Sequence, residues 1–437
     1  MPGAVSRFVN VPFAPARMPF FYGWVMVAAS VVSVWASVPG QTMGVGVFRD
    51  SLMAAWNLSS TQLSVAYMAG TILSSLLLPW AGVLMDRAGM RAMTVYACVG
   101  MGLSLVVLAQ APGLVPAAGG AAWALGTATL CFLLLRFFGQ GCLSMVSRAA
   151  VGKWFDRRRG WASAVGGVFN TLGFNASPAL LDRLIAAAGW RGACHWLAAV
   201  LGIGVAALAW AFVRDNPEQC GLRQDGGAGG ARPAHRGAEQ PTTREFTRVE
   251  ALRTRAFWVY TLALSSHGLL FTAFTFHMAA IAGESGLERA EAYALFLPMA
   301  AFSFLANIVG SWQSDRMRLK WPLCAMMLSQ LLCTVGLLQL DSLWGRALCV
   351  SGFGVTGGLF TMLVTLFVPR FFGRAHLGAI SGFNTSVMVF TSALGPVCFS
   401  LVEQATGRFA PGFVAWLLVP GLLCALGLRT ENPQPRD

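Results

Sequence analysis

The chain has 437 residues, of which 56% are hydrophobic and only 11% charged, and its mean hydropathy is +0.62. Soluble domains carry about 25% charged residues, so a water-soluble globule is excluded. The net charge of +13 would suit a nucleic-acid binder, but no cluster of interleaved basic and aromatic residues accompanies it.

Apolar residues come in runs of about 20 or more, the length that crosses a hydrocarbon core of about 30 Å. Every backbone polar group there must be bonded internally, so the runs are predicted to be helices. Twelve spans fall at roughly 20–47, 61–84, 91–111, 121–151, 160–187, 191–213, 256–282, 290–313, 319–340, 344–370, 376–401 and 410–428. The expected fold is an all-α polytopic membrane protein, two six-helix bundles related by a pseudo-two-fold axis along the membrane normal.

Span one is too long for a signal-peptide core and is followed by further spans, so it reads as a retained helix. It holds a polar break, Pro39-Gly40-Gln41-Thr42, with Gly44 and Gly46 beyond. The break either bends the helix and offers Gln41 to a ligand, or packs closely through Gly40-x-x-x-Gly44. After span two comes the charged turn Gly82-x-x-x-Asp86-Arg87-x-Gly89-x-Arg91.

Span four carries Arg136 about 15 residues from its end, near mid-bilayer, where an arginine costs about 2.5–3.5 kcal/mol or more. It is expected to fork onto a substrate carboxylate, or to tie to carbonyls and polar groups of span one such as Gln41. Asn170 and Asn175 in span five are polar at similar depth.

Residues 215–243 are rich in Gly, Pro, Arg and Gln and read as a disordered tether, with 244–252 a short surface helix after it. The expected domains are an N-terminal bundle over 1–213, a partly disordered linker over 214–255 and a C-terminal bundle over 256–437.

Span seven holds Ser265-Ser266-His267-Gly268 and, further on, His277. His267 either carries a coupling proton or is a neutral, hydrogen-bonded structural residue. A second charged turn, Ser311-x-x-x-Asp315-Arg316, follows span eight, and Asn384 lies in span eleven. No Asp or Glu lies in the middle third of any span, which disfavours a carrier of organic cations.

Basic residues gather on one side of this arrangement, among them Arg87, Arg91, Lys153, Arg158, Arg316 and Arg370, together with those of 214–255. The other side has only Arg49, Arg183, Arg191, Arg289, Arg346 and Arg408. This asymmetry predicts a plasma-membrane (cell inner membrane) protein with both termini in the cytoplasm. The ten scattered cysteines, without a C-x-x-C pair, are expected to be free, with no disulfide, metal or cofactor. The Asn57-Leu58-Ser59 sequon carries little weight.

The two halves align without a gap from Gly141–Met145 on Gly358–Met362 to Lys153-Trp154-Phe155 on Arg370-Phe371-Phe372. A one-residue shift then brings Pro178 onto Pro396 and Gly189 onto Gly407. A duplicated bundle of this kind moves solutes by rocking one half on the other, with the site at mid-depth.

The turn from Gly82 to Arg91 resembles the loop signature of the major facilitator superfamily. Arg136-Phe-Phe-Gly139-Gln-Gly141 resembles that superfamily's fourth-helix motif. Further blocks, Phe21-Tyr22-Gly23-Trp24, Lys153-Trp154-Phe155-x-x-Arg158-Arg159-Gly160, Gly189-Trp190-Arg191, Asn216-Pro217-Glu218 and Phe372-Gly373-Arg374, resemble the branch of oxalate/formate antiporters and monocarboxylate-type transporters. The chain departs from the oxalate pattern, with no arginine in mid-span eight and no lysine in mid-span eleven, so a mono-anion fits better.

The resemblance implies a secondary active transporter, most readily for a small organic anion such as a monocarboxylate, and not an enzyme. The alternatives are efflux of hydrophobic compounds and a non-transporting solute sensor. Its partners would be the solute, a coupling proton and the lipid bilayer, with no nucleic acid, and the protein a monomer. Asp86 is expected at the start of span eleven near Leu377–Gly378, and Asp315 at the start of span five near Gly160, where each carboxylate meets the positive end of a helix dipole. With Gly82, Arg87, Gly89, Arg91 and Arg316 these residues would form a conformational latch, Arg87 and Arg91 pairing with Asp86 or lipid phosphate. The substrate contacts would be Arg136, Gln41, His267, Asn170, Asn175 and Asn384.

Overall fold

A computed structural model describes residues 10–114, 120–227 and 242–435. Among them every regular element is a helix. The first expected span is two helices, α1 (Gly23–Ala36) and α2 (Thr42–Trp56), joined by a tight turn at Val38–Gly40. Proline at 39 removes a donor from the ladder, and the chain resumes as helix at Thr42 and runs to Trp56, past the expected end. Asn57 then closes α2 in the left-handed region at φ 51°, a position that suits Asn, and this is a local reason for that residue in the sequon.

Next come α3 (Ser60–Ala88) and α4 (Met90–Gln110). A capping box opens α3: Ser59 Oγ accepts from the Gln62 N–H, and Gln62 Oε1 accepts from the Ser59 N–H. Span four is continuous but not uniform, with α5 (Gly120–Leu135), a π-helical stretch Arg136–Leu143 and α6 (Ser144–Trp154). Spans five and six form α7 (Arg159–Ala199), whose backbone breaks at Gly189, and α8 (Ala206–Phe212) beyond a second π-helical stretch.

After the short α9 (Arg248–Leu252) come α10 (Arg255–Glu284), α11 (Arg289–Ala294), α12 (Phe296–Ser314) and α13 (Lys320–Leu337). The chain continues with α14 (Leu343–Phe372), α15 (Leu377–Thr406), α16 (Ala410–Trp416) and α17 (Leu418–Leu428).

Among the described residues nine helices are long and apolar enough to cross a membrane, and α1 is a shorter apolar one. The expected spans outside that set are interrupted or polar. Span one is split at Pro39, span five carries Asn170, Asn175 and Asp182, and α12 carries Asn307, Ser311 and Gln313. Large apolar side chains such as Leu76, Leu103, Ile203, Leu297 and Leu418 stand exposed, as a hydrocarbon solvent allows.

Contacts divide the chain into two compact units. One holds the described residues of Met1–Asp156, Phe169–Gly229 and Leu377–Ser386; the other holds those of Arg157–Val168, Gly230–His376 and Val387–Asp437. In the first, α3 packs on α5, α1 on α6 and α4 on α8. In the second, α14 packs on both α12 and α13, and Phe274 stacks on Phe353 at 4.6 Å within an apolar core.

The flanks of the expected tether are built into these units, which corrects the reading of 215–243 as disordered where it can be seen; residues 228–241 lie outside the described residues. In the first unit the Asp215 carboxylate accepts from the Arg91 N–H at the start of α4. Gln224 donates to the Lys153 carbonyl at 2.9 Å and Asp225 accepts from the Asp156 N–H. In the second, Glu245 accepts from the Arg374 and Ala375 N–H groups, and Gln434 donates to the Phe371 carbonyl at 2.8 Å. A polar segment with little apolar surface is held here by the orphan groups of helix ends. Cys220 is buried there, and burial pushes its thiol up to about 11.

Candidate functional site

Asp86 ends α3 with its two carboxylate oxygens on consecutive N–H groups of α15, Gly378 and Ala379, each at 2.7 Å. These are the second and third residues of that helix, whose N–H groups have no partner within it, and the positive end of the dipole favours the charge. The helices come this close because both present glycine. A Cβ on Gly82 would lie 2.1 Å from the Gly378 carbonyl oxygen, and one on Gly378 would lie 2.4 Å from that of Gly82. Gly89, at φ 89°, turns the chain from α3 into α4.

Arg91 does not act as expected. It is buried, its Nε donates to the Trp210 carbonyl at 2.6 Å and Nη2 to that of Val11 at 2.7 Å, and it lies over the Trp210 ring. It ties α4 to α8 and the N-terminal segment, because α8 ends beside the start of α4 and leaves carbonyls to satisfy. Arg87 is exposed and makes no hydrogen bond to another described residue.

The second turn repeats the arrangement. Asp315, at the end of α12, accepts from the Gly160 N–H at 3.1 Å, the second residue of α7. It is also ion-paired with Arg370 of α14. Burial pushes the Asp315 carboxyl up, against the pull of Arg370 and of the Gly160 and Trp161 N–H groups. Arg316 stacks over the Trp312 ring at 4.0 Å.

Arg136 opens the π-helical stretch and is 3% exposed. It donates to the Gly40 carbonyl at 3.3 Å and the Thr42 hydroxyl at 3.4 Å, and lies over the Tyr67 ring at 5.1 Å. Gly40 and Gly139 meet backbone to backbone: a Cβ on Gly139 would lie 2.9 Å from the Gly40 Cα. The motif thus has a local purpose, since Arg136 satisfies the Gly40 carbonyl at the Pro39 break. Of the two expected uses of Arg136, the geometry favours the tie to span one. Gln41 bridges spans one and four, its Nε2 donating to Ser37 Oγ at 3.1 Å and Ser144 Oγ at 3.2 Å.

The other expected contacts are scattered over the two units. His267 is buried between Phe271 and Phe360, with ring centroids at 5.7 and 4.8 Å. His277 shares Nε2 with the Pro396 carbonyl and the Ser400 hydroxyl. Asn170 is half-buried and its Oδ1 has no hydrogen bond among the described residues, while Asn384 is buried on α15. The side chain of Asn175 lies outside the described residues.

Arg148 sits near the end of span four, where basic residues are common and the sequence does not set it apart. Its guanidinium donates to the Thr385 hydroxyl of α15 at 2.8 Å. From Gly139 to Phe155 the only residues not buried are Gln140, Ser144 and Arg148, four apart on one face. The signal available was that spacing, i, i+4, i+8, of polar residues in an otherwise apolar run.

A family profile described as Major Facilitator Superfamily matches residues 24–396. No curated protein matches the chain in sequence. Among solved structures, it is similar to the E. coli fucose:proton symporter FucP, with a TM-score of 0.66 at 13% identity over 93% of this chain and 98% of that one. The human organic anion transporter MFSD10 (TETRAN) gives 0.58 at 18% identity, over 93% and 97%. The proton:xylose symporter XylE gives 0.67 at 11% identity, over 93% and 95%. At such identities the likeness speaks for the fold alone.

Proposed function

The chain belongs to the major facilitator superfamily, and on that premise we propose that it carries a small organic anion, such as a monocarboxylate, by alternating access. It has the fold of a twelve-helix transporter, spans the membrane several times and is not an enzyme. The observation that carries the mechanism is the repeated carboxylate on a helix start, Asp86 on α15 and Asp315 on α7. Such a contact is a handful of hydrogen bonds at an end of a helix, so it forms and breaks without unfolding anything. We read both as latches on one conformer.

The anionic class is supported by charge. No carboxylate lies in the middle third of any apolar span, whereas arginines occur within span four at 136 and 148. Placing the carrier in the oxalate/formate and monocarboxylate branch, with cytoplasmic termini, a monomeric state and proton coupling, belongs to the same reading and rests on the residue blocks and the basic asymmetry.

Counterflow in proteoliposomes tests it. Labelled pyruvate, formate and benzoate, with and without a pH gradient, are compared with a labelled neutral sugar and a hydrophobic amine. Saturable exchange of at least one carboxylate is expected. Exchange of the amine or the sugar, with none of any carboxylate, would overturn the anionic class.

A further inference from the structure

We propose that Arg148 is a binding residue for the carried anion, and that its hydrogen bond to Thr385 holds the place of the anion's carboxylate. This rests on the anion-carrier reading and adds to it a site, a charge and a stoichiometry of one carboxylate.

Exposure is the first support. Gln140, Ser144 and Arg148 are partly exposed along a stretch in which every other residue from Gly139 to Phe155 is buried. Ionisable side chains within spans face the bundle interior or a water-filled cavity and not lipid tails, so we take this face to border water. Arg136, by contrast, is sealed and already bonded to the α1–α2 break.

Unused donors are the second. A guanidinium has five N–H donors in a fork that matches a carboxylate. Arg148 makes one hydrogen bond to a described residue, to a neutral hydroxyl, and has no described carboxylate within ion-pair distance. A cation so placed is short of an anion.

The repeat supplies the third. By the gapless alignment Gln140, Ser144 and Arg148 fall on Gly357, Thr361 and Thr365, which are likewise partly exposed on α14. Thr365 merely donates to the Thr361 carbonyl of its own helix at 3.0 Å. The duplicated architecture therefore packs without a cation at this position, and Arg148 is an addition to it.

A carboxylate forked onto Arg148 makes charge-assisted bonds that the Thr385 hydroxyl cannot match, so it displaces that hydroxyl. Thr385 is seven residues, roughly 10 Å, beyond Gly378 on α15. Loading the anion thus removes a tie to the first turns of α15, where Asp86 makes another. Ser144, one turn along, is in reach of a second polar group on a short acid.

The full-length protein gives two readouts. The first is modification of Arg148 by phenylglyoxal, followed by mass spectrometry with and without pyruvate, formate or benzoate. The second is counterflow of labelled pyruvate, formate and benzoate by wild type, Arg148→Gln, Arg148→Lys and Thr385→Val. At least one carboxylate is expected to slow modification of Arg148 but not of exposed Arg87. Arg148→Gln should raise the half-saturation for the exchanged acid about tenfold or more, equivalent to about 1.4 kcal/mol, with Arg148→Lys between it and wild type. Wild-type half-saturation in Arg148→Gln, while the wild type exchanges a carboxylate, would sink the site and leave the carrier reading intact. Protection of Arg148 without exchange of any carboxylate would keep the site and sink the carrier reading. Neither protection nor exchange sinks both. Should Arg148→Gln fail to fold, protection of the unmodified protein decides alone.

Discussion

Asp86 at the end of α3 and Asp315 at the end of α12 each sit on the second residue of another helix, but what lies behind them differs. Four residues back from Asp86 is Gly82, pressed on Gly378; four back from Asp315 is Ser311, whose carbonyl presses on Gly160. Eight back stand Leu78 and Asn307, the asparagine donating to the Gly358 carbonyl at 3.3 Å. Asp315 also holds Arg370. The carboxylate-to-helix contact is what the two regions share, and it is the part on which the proposed latch rests. The first crossing is glycine on glycine, made for close and reversible approach, while the second is embedded in a polar network that also holds α12 to α14.

The largest expected effect is on the network. Asp315→Asn leaves Arg370 buried with no acid against it, which costs about 3 kcal/mol, the lower end for breaking a buried pair. A clear fall in melting temperature of the purified protein is expected. An unchanged melting temperature would show that the two latches differ less than their surroundings suggest.

Next comes the glycine crossing. Gly82→Ala places a Cβ 2.1 Å from a backbone oxygen that cannot step aside alone, so α3 and α15 must separate, at about 1–3 kcal/mol. Turnover is expected to fall by roughly tenfold or more. Ser311→Ala, at the matching place, should change little, because α12 already carries a side chain there and its hydroxyl has no hydrogen bond among the described residues. Equal losses in the two variants would erase the distinction.

The twelve spans and both carboxylate turns were legible because hydrocarbon imposes length and apolarity, and a charged turn between apolar runs stands out. The helix starts at Gly378 and Gly160 could be named from the signature, and the two carboxylates lie there. What was not legible depends on three-dimensional neighbours. Arg91 turned to carbonyls of Trp210 and Val11, remote in sequence, and Arg136 to the Gly40 carbonyl and Thr42 hydroxyl at the Pro39 break. Arg148 was hidden among ordinary basic residues at a helix end. The ordered flanks of 215–243 were missed because polar composition records too little apolar surface and says nothing of helix ends in need of partners.

The smallest effect concerns α9. Glu250 accepts from the Thr247 N–H and hydroxyl and from Arg244, and these hold its carboxyl down to about 2 from 4.5. A depressed acid stabilises the fold above its unfolded value, so the cap is fully present above pH 4.5 and is lost as pH falls toward 2. Amide protection factors in α9 should fall only below about pH 4.5. Loss of protection already at pH 6 would mean that this cap does not set the stability of α9.

The central claim is that Asp86 stabilises one conformer of a carrier and does not touch the solute. Counterflow of labelled carboxylate by Asp86→Asn beside wild type tests it most directly. The neutral amide keeps one acceptor oxygen but loses the charge on the helix start, weakening the contact by about 1–2 kcal/mol, or roughly tenfold in population. Turnover should fall by about that factor while half-saturation moves by less than about threefold. Wild-type turnover in Asp86→Asn, or a loss seen only as raised half-saturation, would contradict the latch.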